Sequence, residues 1–82
     1  MKGIDTMIYT LTFYPVELSD INGAYSTRLK AIKALDAHRN RMGNMWSSFQ
    51  CIYSGALSAR YTFKCMGVEC YADICAHEID DL

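Results

Sequence analysis

The hydrophobic and polar positions of the chain change period along its length. Residues 56–65 alternate almost without fault, with Leu57, Ala59, Tyr61, Phe63 and Cys65 set against Ser58, Arg60, Thr62 and Lys64. Period two is the mark of a strand with one covered face. A two-residue turn at Met66-Gly67 then places Cys65 opposite Val68, Lys64 opposite Glu69, Phe63 opposite Cys70, Tyr61 opposite Ala72, Arg60 opposite Asp73 and Ala59 opposite Ile74. Apolar meets apolar and both charge pairs have opposite sign, so this register is favoured over a slip. Helical spacing also fits Val68, Tyr71, Ala72, Cys75, Ile79 and Leu82. A helix leaves both charge matches unexplained and puts Asp80 and Asp81 at the unfavourable end of its dipole, so the strand is preferred. On the other side, a three-residue loop Ser54-Gly55-Ala56 sets Tyr53 against Leu57, Cys51 against Ala59 and Phe49 against Tyr61. Strands are thus expected at about 49–53, 57–65 and 68–76, with an acidic tail over 77–82.

Upstream, residues 7–14 (MIYTLTFY) are β-branched and aromatic and end at the only proline, which predicts a first strand. Its odd positions are apolar and its even positions mixed, as for a half-covered strand. The polar run up to Ala24 predicts a loop. A helix is expected over about 27–42, capped by Ser26 or Thr27 and stopped by Gly43. Tyr25, Leu29, Ala31, Ile32, Leu35 and Met42 are assigned to its core face, and Lys30, Lys33, Ala37, Asn40 and Arg41 to its outer face. The order is β-α-β-β-β, an α+β fold with one helix on an antiparallel sheet, in a single domain over residues 1–82.

Composition narrows the function classes. A chain of 82 residues buries only about 60% of the surface it exposes unfolded, which leaves room for one core and no large substrate cavity. A net charge of -1 with 12% aromatic residues excludes disorder and a uniformly basic nucleic-acid binder. The charges are nevertheless segregated, with five of the eight basic residues at positions 28–41 and five of the nine acids at 69–82. No run of 18 apolar residues and no leader pattern is present, so a cytoplasmic protein with no membrane partner is expected.

Candidate chemistry is sparse. Cys51, Cys65, Cys70 and Cys75 lack a C-x2-C pair, and the strand register sends the first three to the helix-covered face and Cys75 to the other. Reduced, hydrophobe-like thiols are therefore expected rather than a zinc site completed by His77 or a disulfide framework, and no metal or cofactor is expected. His38 and His77 sit in no nucleophile, zincin or deaminase pattern, and phosphate-cradling glycine motifs are missing, so the chain is expected not to be an enzyme and to have no small-molecule substrate. His38 is expected to be an ordinary surface or helix-end residue.

Surface remains. The uncovered sheet face is expected to present threonines, Arg60, Lys64, Asp73 and Gln50 around Ile8, Ile52 and Tyr71. Met42 to Trp46 places two methionines and the only tryptophan between helix and sheet, either as a contact loop or as a plug for the core. The residues assigned to partner contact are Lys30, Lys33, Arg41, Met45 and Trp46. Lys30, Lys33, Arg39 and Arg41 alternatively suit direct nucleic-acid binding, although residues 58–63 lack the glycines and leading base of the RNA-reading sheet motif.

In length, in β-α-β-β-β order, in its capped STRLKAIKAL helix and in lacking a catalytic motif, the chain resembles the small proteins that phages direct against host defences, including anti-CRISPR proteins. The resemblance implies a stoichiometric inhibitor in the host cytoplasm. Its partner would be a host protein or ribonucleoprotein complex, bound at its nucleic-acid site or locked in one conformation.

Overall fold

The computed structural model describes residues 7–15, 18 and 21–78. Tail acids Asp80 and Asp81, and Val16, Glu17, Ser19 and Asp20 of the expected loop, lie outside the described residues. Five antiparallel strands form one sheet in the order β2-β1-β5-β4-β3. They are β1 (Met7–Tyr14), β2 (Gly23–Tyr25), β3 (Trp46–Ser54), β4 (Ser58–Cys65) and β5 (Val68–Glu78). The helix α1 (Arg28–Met42) packs on the β2-β1-β5 side of the sheet, and a 3₁₀ turn, Gly43–Met45, leads from it into β3. The expected helix-on-sheet α+β fold is what is found.

The β4-β5 hairpin has the register expected from its alternation, from Cys65 opposite Val68 to Ala59 opposite Ile74. Both turn residues have positive φ, 54° at Met66 and 86° at Gly67, the backbone that matches the twist of a tight hairpin. The ladder outlasts the expected strand by two residues, because β1 pairs Met7 with Glu78 and Ile8 with His77. These two positions therefore belong to the sheet rather than to a tail.

Three other expectations are corrected. Residues 23–25 form a short edge strand on β1, with Tyr9 opposite Tyr25, where a loop was expected. The strand before the 54–57 turn starts at Trp46 and pairs Ser54 with Ala59, Tyr53 with Arg60 and Cys51 with Tyr61, not in the register derived above. The slip begins at the turn, where the Gly55 N–H is donated to the Ser58 carbonyl at 2.8 Å and Ser54 pairs with Ala59, a longer loop than the expected three residues. Two bulges, one between Ser47 and Gln50, where Ser48 has φ 56°, and one at Ile52, then each add a residue that β4 does not match. On the helix, Leu29 is 59% exposed, and it cannot share a face with buried Ala31 because two residues are about 200° apart at 100° per residue. His38 takes a place on the inner arc instead, with Ala31, Leu35 and Met42.

The core comprises Leu11 and Phe13 of β1, Ala31 and Leu35 of α1, Trp46, Ala59, Phe63, Cys70, Ala72 and Ile74. Each large apolar side chain buried in this way contributes about 1.5–3 kcal/mol of transfer free energy. Thr27 caps the helix by accepting the Lys30 N–H at 3.1 Å, and Gly43 ends it at φ 56° with its N–H donated to the Arg39 carbonyl. At the other end of the molecule, Arg28 donates to Ser54 Oγ at 2.6 Å and to the Gly55 carbonyl at 3.2 Å, which ties the helix start to the β3-β4 turn.

Candidate functional site

Three surfaces are left uncovered by this packing, and four of the five sequence-assigned contact residues, all but Trp46, fall on the first two. Lys30, Lys33 and Arg41 all lie exposed on α1, within an arc of about 80° and over about 16 Å of helix. The stripe runs toward Met45, which is 45% exposed. Lys30 Nζ donates to Ser26 Oγ at 3.2 Å, and Arg41 donates to His38 Nδ1, whereas Lys33 has no side-chain partner among the described residues. The His38 ring stands edge-on to Phe13, with centroids 5.8 Å apart. Burial first, and the neighbouring Arg41 charge second, hold the imidazole below its ordinary 6.5. A neutral Nδ1 is the acceptor that Arg41 needs.

Trp46 does not share this exposure. It is 5% exposed and its ring lies 4.3 Å from that of Phe63, 5.7 Å from Phe13 and 6.5 Å from Phe49. It is the plug at the helix-to-sheet passage, and the contact assigned to it passes to its neighbour Met45. Arg39, at the same helix end, lies over the Phe49 ring at 4.2 Å.

The second surface is the tip where the 3₁₀ turn meets the β4-β5 turn, joined by the Met66 N–H donated to the Met45 carbonyl at 3.0 Å. Met66 is 75% and Val68 57% exposed beside Met45. Sequence reasoning missed this convergence because positions 45 and 66 meet only through the register of β3 on β4.

The third surface is the open sheet face, which the ladders arrange in rows. Tyr14, Tyr71, Thr62 and Gln50 form one row, and Thr12, Asp73, Arg60 and Tyr53 the next. Arg60 forks onto Asp73 at 2.7 and 2.8 Å, and this bond holds the guanidinium above its ordinary value. Its Cζ also lies 5.0 Å from the centroid of Tyr71, whose other neighbour, Tyr14, is 6.2 Å away. Tyr14 and Tyr53 join Tyr71 as large exposed side chains of these rows, Tyr53 because the Ile52 bulge turns it to the side of Arg60; Ile52 is itself 53% exposed, whereas Ile8 is half-buried. A hollow of about 220 Å³ separates Tyr71 and Gln50 from Lys64 and Glu69, which face each other without an ion pair.

Comparison of the chain with protein-family models, curated proteins and solved structures finds no match.

The four cysteines are unbridged, Cys70 buried and Cys51 exposed, and burial pushes the Cys70 thiol up. Among the described residues no group of three or more His, Cys, Asp and Glu side chains could hold a metal ion. Among the described residues no helix is long and apolar enough to cross a membrane.

Proposed function

We propose that the protein is a non-enzymatic binding module that docks on a macromolecular partner and blocks it, in the manner of the phage inhibitors it resembles. The carrying observation is the uncovered stripe Lys30-Lys33-Arg41 that leads into exposed Met45. A row of cations ending in an adaptable apolar side chain supplies both steering charge and a desolvated anchor. Nine large apolar side chains are at least 42% exposed among the described residues, Met45 among them. The partner in this reading is a nucleic-acid-handling protein or ribonucleoprotein of the host cytoplasm, and the module needs no cofactor.

A tagged pull-down from bacterial lysate, with and without nuclease, tests the reading when paired with the double reversal Lys30→Glu and Lys33→Glu. A nuclease-resistant partner at near-equal stoichiometry is expected, weakened about tenfold or more by the reversal. The stability of the variant should stay within about 0.5 kcal/mol of the parent, because neither lysine packs into the core.

A second reading, direct nucleic-acid binding, draws on the same three cations along about 16 Å of helix. Loss of all recovered material on nuclease treatment, with affinity falling steeply in salt, would replace the first reading by this one.

A further inference from the structure

We propose that the tip formed by Met45, Met66 and Val68 is a docking site for an acidic amphipathic helix of a protein partner. The inference rests on the binding reading above and names the chemistry of what is bound.

Met66 is the first observation. It occupies the first central position of a two-residue turn at φ 54°, where glycine, asparagine or aspartate sit without strain and an unbranched apolar side chain does not. A local rule broken in a core is compensated by packing, but Met66 is 75% exposed, so its side chain gains little inside the chain. Departures of this kind concentrate where a residue serves a contact outside the fold.

Convergence is the second observation. The Met66 N–H bond to the Met45 carbonyl brings two exposed methionines from distant sequence positions to one end of the sheet, with Val68 following two residues after Met66. Methionine side chains are flexible and polarizable, so such a patch moulds to a helix's apolar ridge. The residue after Met45, Trp46, is packed against Phe63 at 4.3 Å, and Phe63 against Phe49 at 5.4 Å.

Charge chooses the partner. The segments that build the tip, residues 39–47 and 64–69, carry Arg39, Arg41 and Lys64 against one acid, Glu69. An apolar ridge flanked by glutamate or aspartate complements that rim, while a basic helix meets like charge.

The test uses the full chain labelled with ¹³C at its methionine methyls, titrated with a synthetic helix bearing leucines on one face and glutamates on the other. A twin peptide with lysine for glutamate is the control. Saturable shifts are expected at Met45 and Met66, with Met7, at the far end of β1, unmoved, and the twin is expected to bind at least about tenfold more weakly. The variant Met66→Asn is expected to raise the thermal midpoint by about 4–8 °C while weakening the glutamate peptide about tenfold. Opposite signs for stability and binding are what a purely structural Met66 would not produce. Equal shifts from both peptides, no saturable shift, or shifts that grow with protein concentration alone, as for a second copy, would each overturn the proposal. A lysate partner kept by Met66→Asn but lost on reversal of Lys30 and Lys33 would overturn the tip while leaving the binding reading in place.

Discussion

Trp46 is buried with its indole Nε1 unpartnered among the described residues. A buried donor without an acceptor costs about 1–3 kcal/mol, so part of what the large ring contributes is lost at its polar atom. Trp46→Ala should therefore destabilise by about 3–5 kcal/mol in urea unfolding, whereas Trp46→Phe, which removes volume and orphaned donor together, should cost less than about 1.5 kcal/mol. An equal cost for both variants would show that the N–H has an acceptor after all. His38 carries a different liability. Its value is depressed in the folded chain, so below 6.5 the unfolded chain binds protons that the folded one does not. Stability from this residue is complete above 6.5 and is lost as pH falls through the depressed folded value, where a second positive charge would also face Arg41. Unfolding midpoints followed from about pH 7.5 to 5.5 should decline, and His38→Gln should flatten that decline.

Among the elements, the β4-β5 hairpin and β3 differ in what the alternation of residues could reveal. The hairpin was legible because its pattern runs unbroken from Ala59 to Ile74 and the Arg60–Asp73 pair marks its register independently. β3 was not, because its turn is longer than the three residues that alternation suggested, and because Ser48 and Ile52, which make its bulges, are ordinary residues by composition that only the paired strand shows to be extra. β2 is too short, at three residues, to show any period. Of the candidate contact residues, the helical cations were legible from spacing, while the burial of Trp46 depended on where the helix ends relative to Phe63. The same contrast predicts dynamics. Backbone amides of β4 and β5 should exchange with solvent on the order of tenfold or more slowly than those of β3 from Ser48 to Ser54, because β3 is bulged and largely exposed. Uniform protection across the three strands would contradict the assigned irregularities.

Over the whole molecule, 49 Å long and 23 × 18 Å across, the helix shelters only part of the sheet. Polarity follows from this arrangement. Cations line the helix side, tyrosines and threonines the open side, and methionines one end. The two margins of the sheet are also unequal. β2 offers three residues, too few to recruit a neighbour, but β3 offers nine, and none of them is charged. Natural margins of that length are usually guarded by lysine or proline, and here the guard is shape alone, through the extra residues near Ser48 and at Ile52. Deleting Ile52 should straighten the strand, and light scattering should then show self-association that rises with concentration, where the parent shows less. Two inconspicuous residues thus stand between a discrete molecule and a ribbon that continues from copy to copy.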